Sequence, residues 1–227
     1  MAYTKKTIIN KVTATGKPLY QRGCVNNIGQ TTDTGEYYTE VIAQYILDNL
    51  AAFKGGIHKV TRCGSYKVVE HKWYDYDPKV DTIIRKEEHF ARSLYGETIG
   101  VLSFLDYQVP LKNANDDENK GLGKIDLFAF DGRSLVILEL KRSDSLETLL
   151  RCVLESYTYL NTVDKDKLAT DFGYKKGTPL RAAALVFEDS LPYKERERPL
   201  VRKLMETLDV GLYVMDNETS KNIKQIV

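Results

Sequence analysis

Apolar residues along this chain recur with two different periods, and each change of period marks an element. Tyr38, Val41, Ile42, Tyr45, Ile46 and Asn49 fall three or four apart, which predicts a helix. Asp33 or Thr34 starts it, with Glu36 completing a capping box, and Gly55-Gly56 closes it after about Phe53. The same spacing links Leu146, Leu149, Leu150, Val153, Leu154, Tyr157 and Leu160, behind a second capping box of Asp144 and Glu147. Leu200, Leu204 and Leu208 repeat it over Pro199–Leu208. Short apolar runs predict buried strands at residues 101–111, on both sides of Asp131-Gly132, at Leu180–Phe187 and at Val210–Met215. Three antiparallel strands are therefore followed by helix, strand, helix, strand. Strands separated by helices imply parallel right-handed crossovers, so the fold class is α/β, a mixed central sheet flanked by helices on both faces.

The remaining segments read less sharply. Residues 1–32 are polar with short β-branched runs such as Thr7-Ile8-Ile9, and suit an edge hairpin or a loose arm. Residues 57–95 read as a segment inserted into a single domain of residues 1–227, whose core spans about 35–56 and 100–215. Within it, residues 58–71 suit a hairpin turning at Gly64-Ser65, and Asp77-Pro78 opens a helix with Val80, Ile83, Ile84, Ala91 and Leu94 inward. Lys59, Arg62, Lys67 and Lys72 interleave with Trp73, Tyr74 and Tyr76. Such residues serve a base-stacking surface with phosphate contacts, or an ordinary strand pair with a solvated face. The loop of Asp116, Asp117 and Glu118 lacks the alternation of an EF-hand and reads as a solvated turn.

Composition narrows the class without naming a chemistry. At 227 residues, 42% hydrophobic and 29% charged, the chain is an ordinary globular sequence, long enough to bury a sizeable core. A formal charge of +1 gives no global basic field, so contact with nucleic acid must come from local patches. Cys24, Cys63 and Cys152 lack paired spacing, and His58, His71 and His89 are scattered, which argues against a zinc centre. No stretch is apolar for long enough to span a membrane, and the N-terminus lacks the core of a signal peptide, which places the protein in the cytoplasm.

One stretch stands apart, residues 123–141, GKIDLFAFDGRSLVILELK. Asp-Gly between apolar runs predicts a two-residue hairpin turn. Phe130 then pairs with Arg133, Phe128 with Leu135, Asp126 with Ile137 and Lys124 with Glu139. Asp126, Glu139 and Lys141 share one face of the sheet, with the two acids as diagonal neighbours roughly 7–8 Å apart. Ile125, Leu127, Ala129, Val136, Leu138 and Leu140 make one apolar face, while Phe128, Phe130, Leu135 and Ile137 make much of the second apolar too. Charges inside such strands are costly unless they pair or bind a metal. Lys141 ion-paired to Asp126 or Glu139, with no chemistry, is the plain alternative.

Asp126, twelve residues, then Glu139-Leu140-Lys141, on a hairpin leading into an amphipathic helix, resembles the PD-(D/E)xK nuclease superfamily with its restriction-endonuclease-like core. Ile125 stands where the family name has proline. The resemblance implies Mg²⁺-dependent hydrolysis of phosphodiester bonds in nucleic acid, DNA foremost, with Mn²⁺ as a substitute ion. It implies metal ligation by Asp126, Glu139 and the Leu140 carbonyl, and a Lys141 that orients or activates the water, its charge beside Mg²⁺ favouring the neutral amine. Alanine at Asp126, Glu139 or Lys141 is then expected to abolish cleavage with the fold intact. Many members carry a glutamate on a helix before the core strands, and Glu40 fits that place best, ahead of Glu36. Part of the family has a Q-x-x-x-Y motif on the next helix; Val153 to Tyr157 lacks the glutamine, and Glu155 to Tyr159 points off the apolar stripe. Many proteins of this fold act as homodimers or in larger complexes. A non-catalytic module that binds nucleic acid or a protein partner on the same fold is the alternative function.

Overall fold

The computed structural model describes residues 2–14, 17–68, 83–113, 116, 119 and 121–226, the side chains of 83–85 excepted. Helices α1 (Lys5–Thr13), α2 (Tyr38–Asp48), α3 (Leu50–Gly55) and α4 (Ile83–Leu94) precede the sheet. Strands β1 (Thr98–Ile99), β2 (Leu102–Pro110), β3 (Lys124–Phe130) and β4 (Leu135–Leu140) follow, then α5 (Leu149–Thr162) and α6 (Lys165–Asp171). The chain ends with β5 (Leu180–Phe187), α7 (Leu191–Lys194), α8 (Pro199–Leu208), β6 (Val210–Met215) and β7 (Ile223–Gln225). Among the described residues seven strands form one mixed sheet in chain order, antiparallel from β1 to β4, parallel from β4 to β6, and antiparallel again at β7. The two edges approach each other. A Cβ on Gly100, before β2, would lie 2.8 Å from the Ile223 carbonyl oxygen of β7, and its φ of +59° is one that glycine adopts without strain.

Both faces of the sheet are covered, as the two-sided apolar strands require. Phe128, Leu135, Ile137, Ala182 and Ala184 join α1, α2, α5 and α8 in one core. Leu127, Ala129, Val136, Leu138 and Leu140 join Phe90, Ala91 and Leu94 of α4 in a second. Residues 83–94 thus form a helix that closes one face of the central sheet, with Ala91 and Leu94 inward as the spacing predicts.

Several local expectations are corrected. The N-terminal arm is helical: Thr4 caps α1 through Oγ1, and Ile8 and Val12 are buried against α2. No capping box starts α2; Asp33 and Thr34 belong to a tight turn in which Thr32 Oγ1 accepts the Glu36 N–H, and the helix begins at Tyr38. Described residues 57–68 contain no strand; Val60 N–H donates to Thr162 O, and Tyr66 is buried. Trp73, Tyr74, Tyr76, the Asp77-Pro78 helix start, Asp117 and Glu118 lie outside the described residues. Asp144 and Glu147 cap no helix either, because Thr148 is the residue whose side chain accepts from Arg151 N–H at the start of α5.

The hairpin turn is longer than Asp-Gly alone. Phe130 pairs with Leu135, Phe128 with Ile137 and Leu127 with Leu138, leaving Asp131 to Ser134 as a four-residue loop. Asp131 closes it by accepting the N–H groups of Arg133 (2.9 Å) and Ser134 (2.6 Å), an Asx turn that two residues could not make. Going from two to four loop residues shifts the register by a pair and preserves parity. Asp126 therefore stays on the face of Glu139 and moves from its diagonal to its direct opposite. Ile125 departs from the expected face: with Val109 it packs in the core of α5, although Leu127 and Tyr107 face α4. The alternation breaks on both strands at the level of Gln108, whose φ is +52°.

Candidate active site

Three strands and two helices bring the site together. In the β3–β4 register the pair beyond Leu127 and Leu138 is Asp126 with Glu139. Lys141 follows directly after β4, and its Nζ lies 2.9 Å from Glu139 Oε1, 2.9 Å from Glu87 Oε1, 3.3 Å from Glu147 Oε2 and 3.8 Å from Asp126 Oδ2. Glu87 comes from α4 and Glu147 from the loop before α5. Asp126 Oδ2 accepts the Leu140 backbone N–H at 3.1 Å, and Oδ1 accepts Gln108 Nε2 at 3.4 Å. One turn into α5, Arg151 pairs with Glu147 and approaches Glu155 at 3.4 Å, and the Tyr159 hydroxyl donates to Glu155 at 2.6 Å.

The charges do not balance. Glu87, Asp126, Glu139, Glu147 and Glu155 are five carboxylates around two cations, Lys141 and Arg151. Glu139 is 4% exposed, and burial together with Asp126 and Glu155 pushes its carboxyl well above the glutamate range despite Lys141. Asp126 is raised by burial, with Lys141 opposing, and burial lifts Glu87 to about 7. Burial would lower Lys141, but Glu139, Asp126 and Glu87 outweigh it and hold the ammonium well above the ordinary lysine range. Within the chain's own charges Lys141 is thus a firm cation. Glu147 Oε2 and Glu155 Oε2 are buried and accept no hydrogen bond.

These side chains line a cleft of about 850 Å³ with Lys124, Arg142, Asp144, Ser145 and Leu146 at its walls. Its oxygen donors among the described residues are carboxylates, the Gln108 amide and the hydroxyls of Ser145 and Tyr159, without thiol or imidazole, a hard-oxygen set that fits Mg²⁺ in chemistry. No three of them among the described residues are drawn into a ready ligand shell; they converge on the Lys141 ammonium instead.

The structure brings together Asp126, Glu139 and Lys141 and places Glu40 elsewhere. The Glu40 carboxylate accepts the N–H groups of Leu200 (3.1 Å) and Val201 (3.1 Å) and so caps α8, a role that holds two helices together at a positive helix end. The glutamate that a helix before the core strands brings to the cleft is Glu87. Its sequence signal is a charge inside an apolar stripe, since position 87 lies three before Phe90, four before Ala91 and seven before Leu94, all buried. Glu155 and Tyr159 lie off the apolar stripe of α5. That helix is buried on nearly every side, and both residues face the cleft. Gln108 carries no sequence signal at all.

No family model matches the chain, and no curated protein does. Among solved structures, the Pyrococcus furiosus SfsA in complex with Ca²⁺ aligns at 14% identity with a TM-score of 0.25, over 63% of this chain and 62% of that one. The alignment thus spans less than two thirds of SfsA.

Proposed function

We propose that the protein is a Mg²⁺-dependent nuclease of the PD-(D/E)xK type, hydrolysing phosphodiester bonds in nucleic acid, with DNA the first class to test. The observation that carries this is the surplus of carboxylate about Lys141, with Asp126 and Glu139 opposite each other on adjacent strands and Glu87 and Glu147 reaching in from α4 and the loop before α5. A structural ion pair needs one acid per ammonium; the described residues that line this cleft bring seven carboxylates against four cations. A divalent cation is the partner such a set suits.

Asp126 and Glu139 would hold the ion, with the Leu140 carbonyl added by the family resemblance. When bound, Mg²⁺ supplies charge stabilisation at the phosphoryl, attacking and leaving oxygens. Lys141 does the rest of the work assigned to this chain. Its Nζ is fixed by Glu139 and Glu87, both at 2.9 Å, which leaves its third N–H, now facing Glu147 at 3.3 Å, to orient the attacking water. Lys124, Arg142 and Arg151 on the cleft wall offset the charge of the flanking phosphates. Burial of Glu139 and Lys141 keeps bulk water from screening these contacts.

The 2.9 Å contact of Lys141 with Glu139 favours one second reading, a non-catalytic module in which the pair is structural. A Mn²⁺ titration of wild type and Glu139→Ala, followed by the ion's paramagnetic signal, separates the two. Binding that disappears in the variant supports the nuclease and justifies a screen of single- and double-stranded DNA and RNA. Equal signals from two folded proteins would leave the structural module.

A further inference from the structure

Gln108 holds a backbone conformation that its residue type does not favour. Its φ is +52° in the middle of β2, with ladder pairs on both sides, Tyr107 with Leu127 and Val109 with Ile125. A left-handed glutamine inside a strand is strained, and such residues persist where the surrounding structure holds them. In that register Gln108 stands opposite Asp126. The kink also turns Val109 and Ile125 into the core of α5, so it is built into the packing of two strands.

The kink has a geometric product. Gln108 lines the cleft, with Nε2 3.4 Å from Asp126 Oδ1, while the Leu140 N–H holds Oδ2 at 3.1 Å. Each oxygen of Asp126 thus has a neutral donor, which fixes the plane of the carboxylate. Asp126 is also the acid that stays back from the ammonium, at 3.8 Å from Lys141, where Glu139 and Glu87 each reach 2.9 Å. A carboxylate free to turn would close that gap, because the attraction grows as separation falls.

We infer that Gln108 is a positioning residue that withholds Asp126 from Lys141 and keeps its carboxylate oriented to receive a divalent cation. This rests on the metal-dependent reading above and adds a residue on β2 to the site. Gln108 acts through Asp126 and touches no reacting atom. The left-handed backbone is the means by which a long amide on β2 reaches across the ladder to its direct partner.

The test uses Gln108→Gly, which suits φ +52° and removes the amide, and Gln108→Asn, which also tolerates that backbone but has a shorter reach. Both are expected to melt at or above the wild-type temperature while Mn²⁺ affinity falls on the order of tenfold. Opposite movement of stability and binding is the mark of positioning; a merely structural residue would lower both. Folded variants that bind Mn²⁺ as wild type does would overturn the inference. A second measurement needs no metal: the Gln108 side-chain amide pair in a ¹H–¹⁵N spectrum of the wild type is expected to shift in Asp126→Ala. If wild type binds no Mn²⁺ through Glu139, the nuclease reading fails and this spectrum alone decides. An amide indifferent to Asp126→Ala would overturn the role of Gln108.

Discussion

Glu87 and Lys141 are 54 residues apart in the chain and 2.9 Å apart in the fold. That contact pins α4 to the end of β4 and puts a second carboxylate at 2.9 Å from the ammonium already held by Glu139. If the cleft takes a divalent ion, Glu87 adds to the negative charge that attracts it, since charge count tunes such sites. Glu87→Gln keeps shape and hydrogen bonding and removes the charge. It is expected to weaken Mn²⁺ binding by about tenfold with little change in melting temperature. Unaltered affinity would restrict Glu87 to the docking of α4.

Lys141→Ala is expected to damage the fold, which revises the sequence-based view that alanine there leaves it intact. The substitution strips Glu139, Asp126, Glu87 and Glu147 of their shared cation. Removing one partner of a buried ion pair costs about 3–5 kcal/mol. A urea midpoint at neutral pH measures it. Loss of less than about 1 kcal/mol would show the carboxylates to be solvated individually.

The opposite sign is expected for Glu139→Gln. The wild-type carboxylate is 4% exposed and crowded by Asp126 and Glu155, so its charge opposes folding. Glutamine keeps the shape without the charge, and the metal-free protein should be more stable than wild type in a urea titration. Millimolar Mg²⁺ should then raise the melting temperature of wild type, by ligand linkage, and leave the variant unmoved. A variant stabilised by Mg²⁺ as strongly as wild type would remove Glu139 from the metal site.

What could be seen in the sequence follows from which features obey local rules. Asp126, Glu139 and Lys141 were legible as one cluster because strand side chains alternate with period two, and loops of two and four residues preserve the same parity. The exact register was not, since Asp131 adds its Asx turn only when Ser134 is there to be capped. Strands β2 to β6 were legible from their apolar runs, and α5 and α8 from apolar residues at helical spacing. β1 and β7, at two and three residues, are too short to carry a period. Glu40 was misplaced because a glutamate in the first turn of a helix looks the same whether it faces solvent, a metal or another helix; here the partner is the α8 N-terminus, 160 residues away. Glu155 and Tyr159 were left out of the site because a single apolar stripe was assumed for a helix that is enclosed on nearly all sides.

Away from the site, Glu195 gives the fold a pH dependence. It is buried, accepts the Leu149 N–H at 2.9 Å at the start of α5, and pairs with Arg198. Burial raises its carboxyl from 4.5 to about 7, with Arg198 only partly opposing. The folded state therefore holds the proton more tightly than the unfolded chain. Stability from this group is full below about 4.5, declines as pH rises toward about 7, and is level above, with a slope of at most about 1.4 kcal/mol per unit. Glu195→Gln should lose that decline, so its stability relative to wild type should improve between about pH 5 and pH 7.5. A pH-independent difference in urea midpoint would mean that Arg198 keeps Glu195 ionised throughout.

Gly123 sits where the chain enters β3 against the buried Tyr159. A Cβ there would lie 2.3 Å from the Tyr159 hydroxyl oxygen and 3.3 Å from Cζ. The ring cannot simply withdraw: Tyr159 is 2% exposed, donates to Glu155 at 2.6 Å, and packs edge-on against Tyr20 at 5.6 Å between centroids. Gly123→Ala is expected to cost about 1–3 kcal/mol by overpacking. Tyr159→Phe alone should also cost about 1–3 kcal/mol, because it leaves Glu155 Oε1 without its donor. Combined, the two should cost less than their sum, since the hydroxyl that clashes with the new methyl is gone and only the 3.3 Å approach to the ring remains. A double-mutant cycle in urea measures the coupling. Strict additivity would mean that the strand shifts its backbone to admit the methyl and that the hydroxyl is not what excludes a side chain at position 123.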